Sequence, residues 1–170
     1  MRLTVSLNYD LPFGKGKAIG GNAGKLVDRV AGGWSLNTVY VRQSGGLLTW
    51  GDVIYNGGDL HLESNNIHHT FDTTQFNTVS AQQLSWNVRT FPAQFSNLRA
   101  DGPDNVDFSL IKNAQIYERL RLQIRGEFFN VLNHVLFSAP NTSPTSSAFG
   151  TITGQANVPR GVQLGLKLLW

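Results

Sequence analysis

No cysteine occurs in the 170 residues, so neither a disulfide framework nor a thiolate metal site can hold this chain together. Long apolar runs are missing too. None approaches the ~20 residues that a helical membrane span requires, and the mean hydropathy is only −0.17. Charge of either sign is scarce: charged residues are 15% of the chain and the net charge is +3, too mild and dispersed for a nucleic-acid surface. Motifs for chemistry are also absent. A phosphate loop built on Gly24-Lys25 would need glycine where Ile19 stands and Ser or Thr where Leu26 stands. His61, His68 and His69 with Asp59, Glu63 and Asp72 lack the usual metal-ligand spacing and read as a solvated loop. No nucleophile elbow or Ser-His-Asp order stands out. The chain is therefore expected to have no catalytic residue, no cofactor, no metal and no nucleic-acid partner.

What the sequence does hold is glycine, aromatics and alternation. Its 18 glycines, 10 phenylalanines, 4 tryptophans and 4 tyrosines suit an all-β protein. The final residues are the most informative. Val162, Leu164, Leu166, Leu168 and Trp170 fall on one face at period two, and Gly161, Gln163, Gly165 and Lys167 fall on the other. A strand that is apolar on one side and small or polar on the other fits a barrel wall between lipid and a wet lumen. Gln163, Gly165, Leu168 and Trp170 resemble the C-terminal signal read by the barrel-assembly machinery of the bacterial outer membrane. The last strand of a soluble β-sandwich ending in Trp is the competing reading.

The same period recurs upstream. Leu3, Val5, Leu7, Tyr9 and Leu11 alternate with Arg2, Thr4, Ser6, Asn8 and Asp10. A strand of that length, tilted near 45°, spans roughly 23 Å, which matches the ~25 Å apolar band of outer-membrane barrels. Residues 34–49 predict a second strand with a bulge or bend at Gly45-Gly46, and 105–112 a third. The cleanest strand, 119–129, sets Leu120, Leu122, Ile124 and Phe128 against Arg119, Arg121, Gln123, Arg125 and Glu127. Residues 161–170 make the fifth. The first set, with Leu164 and Leu166, is expected to face lipid. The second is expected to line the lumen, solvated and partnered by Asp107 and Asp10 across neighbouring strands. Trp34, Phe128, Phe129 and Phe137 read as interface-belt or packing aromatics.

Between the strands, 12–33 predicts a long turn with one helical turn near Lys25–Val30, and 113–118 a short one. Residues 51–104 and 130–158 predict long polar loops, with a short strand as an option at Leu84–Arg89. With Trp170 at the periplasmic rim, the turns lie in the periplasm and the loops outside the cell. The expected fold is an all-β antiparallel meander of about five strands with sequential neighbours paired. Five strands fall short of the eight or so that closure needs, so the sheet is an incomplete part of a transmembrane barrel.

Two stretches carry a family resemblance. Residues 105–113, Asn-Val-Asp-Phe-Ser-Leu-Ile-Lys-Asn, precede residues 118–134, which include Arg-Leu-Gln-Ile-Arg-Gly-Glu-Phe-Phe-Asn-Val-Leu-Asn-His. Together with Phe149-Gly150, Pro159-Arg160 and the earlier segments around Tyr9–Lys17 and Gly32–Gly46, they resemble the end of TonB-dependent receptors of the Oar-like branch. The resemblance implies that residues 1–170 are the C-terminal part of a barrel of about 22 strands, without its plug. It implies energy-coupled uptake across the outer membrane as the function, with no enzymatic activity. The implied partners are outer-membrane lipid, the remaining strands and plug, the barrel-assembly machinery, and the TonB complex through the absent N-terminal part. Met1-Arg2-Leu3-Thr4-Val5 lacks the features of a signal peptide, which fits a piece of something longer. A soluble all-β binding or adhesion module and a porin-type or secretion barrel are the alternatives.

Overall fold

Strict alternation produces strands, and five of them line up in one sheet. The computed structural model describes residues 1–22, 24–64, 66–83 and 91–170. The expected strand at Leu84–Arg89 lies outside these residues. β1 (Arg2–Asp10), β2 (Trp34–Gln43), β5 (Asp104–Gln115), β6 (Arg121–Phe129) and β7 (Gly161–Leu169) form an open sheet in the order β1-β2-β5-β6-β7. The pairs β2–β5, β5–β6 and β6–β7 are antiparallel. The sheet is thus the all-β, partial-barrel meander expected from the sequence. Between β2 and β5 fall β3 (Leu47–Thr49) and β4 (Gln94–Arg99), which pair with each other in a separate small sheet.

Three boundaries differ from expectation by more than one residue. The second strand does not run to residue 49; it stops at Gln43, and Leu47–Thr49 leaves for the other sheet. Gly45 is the reason. A side chain there would overlap the carbonyl oxygen of Ala100, so the backbones of 43–46 and 100–103 approach as only glycine permits. Arg119 and Leu120 are not strand residues either. The turn closes with Tyr117 and Leu120 exchanging backbone hydrogen bonds of 3.2 and 3.1 Å, and β6 begins at Arg121. β5 correspondingly runs on to Gln115.

The larger correction concerns the polar loops. Gln43–Pro103 and Val135–Asn157 make a compact unit of their own. Its core is Leu48, Trp50, Val53, Leu60, Phe71, Phe76 and Leu98. Trp50 stacks on Phe76 at 5.9 Å and meets Phe71 and Phe95 edge-on at 5.4 Å. Phe149, from the second insertion, packs edge-on against Phe71 and Phe76. Thr70 N–H donates to Gly150 O at 3.0 Å and Ile152 N–H to Ile67 O at 2.7 Å, stitching the two insertions together. The short helical turn Thr73–Gln75 is capped by Asp72, whose carboxylate accepts from Thr74 Oγ1 at 2.7 Å, Thr74 N–H at 2.9 Å and Gln75 Nε2 at 3.0 Å. These bonds, led by the Thr74 hydroxyl, hold the carboxyl below its ordinary value of 3.8. A lowered folded pKa means the cap is fully stabilising above that ordinary value and is lost as pH falls through the lower one. The Thr74 amide resonance should therefore titrate with a midpoint below 3.8, and Asp72→Asn should abolish the step. A midpoint at or above the ordinary value would contradict the cap.

The unit that contains the sheet has a different character. Among its described apolar side chains only Ile111 is buried. Leu3, Val5, Leu7 and Tyr9 on β1, and Val162, Leu164, Leu166 and Leu168 on β7, are all exposed. A soluble sheet hides one face against another layer. This one does not. The connection between β1 and β2 contains α1 (Lys25–Ala31), close to the single helical turn expected there.

Candidate functional site

Directly opposed residues of antiparallel strands share a face, so the registers assign the two sides. One face carries four rows: Ala114, Leu122, Leu168; Trp34, Lys112, Ile124, Leu166; Leu36, Leu110, Gly126, Leu164; and Thr38, Phe108, Phe128, Val162. Phe108 and Phe128 are in ring contact at 5.7 Å. The other face carries Asn113, Gln123, Lys167; Ser35, Ile111, Arg125, Gly165; and Asn37, Ser109, Glu127, Gln163. Leu122, Ile124, Phe128, Leu164 and Leu166 are thus brought together. So are Arg121, Gln123, Arg125 and Glu127, while Arg119 and Leu120 stay in the turn. Trp170 follows the last residue of β7 and is almost fully exposed.

The polar face is a hydrogen-bonded ladder. Gln123 Nε2 donates to Asn113 Oδ1 at 2.9 Å, Arg125 reaches Gln123 Oε1 at 3.4 Å, and Arg125 pairs with Glu127 at 3.4 Å. Arg125 and Glu127 largely cancel, which leaves Arg121 and Lys167 to give the strip its positive sign. The partly exposed pair is worth at most about 1 kcal/mol. Gly165 leaves a shallow hollow among Gln123, Arg125, Glu127, Gln163 and Lys167.

Asp107 does not serve as the counter-charge expected for the arginines. Its Oδ1 accepts from Asn130 N–H and Asn105 Nδ2, both at 2.9 Å. Asn130 was not singled out by pattern, because it follows a strand and breaks no period. It is buried, with φ of 49°, and closes the turn after β6. Its side chain donates to the carbonyls of His134 and Val158 at 3.0 and 3.2 Å and accepts from His134 N–H at 2.9 Å. Asn133 beside it accepts from Arg160 N–H at 3.1 Å. Asparagine tolerates the left-handed backbone that most residues avoid. Asn130→Ala should cost about 1–2 kcal/mol, because buried partners lose their bonds and the φ becomes strained. Asn130→Gly should cost less, since it relieves the strain alone. Urea unfolding in lipid vesicles measures both, and equal losses would mean that the backbone conformation contributes nothing.

The second unlooked-for residue is Lys112. It occupies an apolar-face position in the alternation Val106, Phe108, Leu110, Lys112, yet is buried. Its ammonium hydrogen-bonds the Gly32 carbonyl and lies 5.5 Å from the Trp34 ring centroid. Trp34 Nε1 donates to Val30 O at 3.0 Å. A lone lysine in a period-two apolar row was the sequence signal for this arrangement.

The histidines expected to be loop residues lie in tight turns. The amides of His68 and His69 both reach Asn66 Oδ1, at 2.8 and 3.1 Å, and His61 N–H reaches Asp59 Oδ1 at 2.9 Å. No described helix is long and apolar enough to cross a membrane.

A family model described as an outer membrane beta barrel domain matches residues 1–163. Comparisons with curated proteins and with solved structures returned no match. With nearly the whole chain matched and a two-faced, coreless, open antiparallel sheet, this protein belongs to the outer membrane beta barrel domain family, and its place is the bacterial outer membrane.

Proposed function

We propose that the chain forms part of the wall of a TonB-dependent receptor, a transporter that draws substrate across the outer membrane with energy supplied from the inner one. The observation that carries the reading is the register of β5, β6 and β7. It gathers the apolar rows on one face and Arg121, Gln123, Arg125, Glu127, Gln163 and Lys167 on the other. Lipid on the first side and a water-filled lumen or plug on the second satisfies both. The edges β1 and β7 each border one strand only, and backbone groups at a membrane edge require further strands. The stretches that resemble TonB-dependent receptors, residues 105–113 and 118–134, include most of β5 and all of β6.

A porin-type barrel would use the same wall without energy coupling. The DNA immediately upstream of the Met1 codon separates the two. An in-frame plug domain followed by barrel strands supports coupled uptake. Barrel strands without a plug favour a porin. A stop codon followed by a ribosome-binding site overturns the receptor reading.

A further inference from the structure

We infer that the connection between β1 and β2 is a membrane-surface device, in which α1 lies on the leaflet bordering the strand ends and holds anionic phospholipid headgroups. The inference rests on the wall reading proposed above. α1 is two-sided although short. Leu26, Val27 and Val30 form an exposed apolar stripe, with Leu26 77% and Val30 74% accessible. Lys25 and Arg29 lie on the opposite side, where they line a cleft of about 640 Å³ with Lys15, Arg121, Asn113 and Tyr117. Arg121 belongs to the polar face, and without it three cations, Lys15, Lys25 and Arg29, still face two acids there, Asp28 and Glu118. Asp28 is engaged, since its Oδ1 accepts from Lys15 N–H at 2.5 Å. The cleft therefore carries excess positive charge beside an apolar stripe that no described residue covers.

Continuity with the sheet selects lipid as the occupant. The helix end is tied to Trp34 and Lys112, which belong to the apolar face together with Ile124 and Leu166. Trp34 Nε1 bonds Val30 O, and the Lys112 ammonium bonds Gly32 O. One row from its Ala114–Leu122–Leu168 end, the same face that meets acyl chains thus carries an aromatic and a lysine beside an amphipathic turn, the groups that a bilayer holds where hydrocarbon gives way to headgroup. Arg29 also reaches the Ile116 carbonyl at 3.5 Å, joining the helix to the β5–β6 turn. On the proposed orientation this is the periplasmic leaflet.

The chain has no cysteine, so Val27→Cys labels one site in it with an environment-sensitive fluorophore. Leu110→Cys, on the apolar face, reports insertion of the wall itself. The protein as expressed from its gene is reconstituted in phosphatidylcholine vesicles, with or without about a third phosphatidylglycerol. The label on the helix, at position 27, should brighten with phosphatidylglycerol and be quenched by lipids labelled near the headgroup. Lys25→Gln and Arg29→Gln should each weaken the phosphatidylglycerol-dependent part about fivefold. A helix label that stays in water while the wall label at position 110 is quenched by lipid overturns the inference and leaves the wall reading standing. If the wall label also stays in water, the wall reading fails. Shielding of the helix label that needs no phosphatidylglycerol and survives both charge removals identifies a protein contact, which also overturns the inference.

Discussion

Leu110→Arg is expected to destabilise the protein in a bilayer by about 2–4 kcal/mol, whereas Ser109→Arg, one residue away, should cost far less. Leu110 lies in the third of the four rows of the apolar face counted from the β5–β6 turn, flanked by Leu36 on β2 and Gly126 on β6. An arginine there meets hydrocarbon, and the cost of a lipid-facing cation falls off toward the interfaces. Leu122 is the second residue of β6, beside the turn, so Leu122→Arg should cost only about 0–1 kcal/mol. Ser109 lies opposite Asn37 and Glu127, where a guanidinium stays wet and gains a carboxylate neighbour. Refolding into vesicles with urea titration reads all three. Equal losses at 109 and 110 would refute a wall with lipid on one side only.

Lys112 shows why that ordering is physical rather than a rule about cations. It shares the face with Leu110, one row nearer the strand end, and survives there because its stem can reach the Gly32 carbonyl and the Trp34 ring. Long cationic side chains tolerate such positions when the head finds polar company.

The sheet was legible because period two is a local signal. Leu122, Ile124 and Phe128 against Gln123, Arg125 and Glu127 dictate two faces without reference to any partner, and the register then opposes like with like. Pairing order followed, since strands joined in sequence tend to lie side by side. The second unit was not legible. Trp50, Phe71, Phe76 and Phe149 follow no period, and they meet only because two insertions far apart in sequence share one core. Their segments are rich in Asn, Ser, Thr and Gly, so composition read them as solvated loop. Gly45 misled in a different way: a glycine pair inside an alternating run marks either a bulge or a close backbone crossing, and only the position of Ala100 decides. Asn130 and Asp107 were hidden because a residue in a tight turn is identified by its hydrogen-bond partners, which lie up to 28 positions away.

Deleting Trp170 should leave the protein in the periplasm, to be degraded there before reaching the outer membrane. β7 is an edge of the sheet, and its apolar side chains Leu164 and Leu166 are exposed over most of their surface. Such an edge invites pairing with another chain, and assembly by strand addition would exploit it. Trp170 extends that face by one residue beyond β7 and touches so little that its loss removes almost no packing. A stability effect is therefore a poor explanation for any failure of the deletion variant. Gly165→Val sharpens the distinction. A side chain at 165 would meet Arg125 Cβ at 3.8 Å, an ordinary contact, so pairing of β6 with β7 does not require glycine. Valine favours a strand where glycine weakens it, so the folded sheet should be no less stable. If Gln163, Gly165, Leu168 and Trp170 are read by the barrel-assembly machinery, Gly165→Val should nonetheless reduce the amount in the outer membrane. Membrane fractionation with a heat-modifiability gel measures arrival, and urea unfolding of the protein refolded in vesicles measures stability. Failure of arrival with unchanged stability supports recognition of the terminal strand. Arrival of both variants at the wild-type level makes Trp170 an interface-belt aromatic and nothing more.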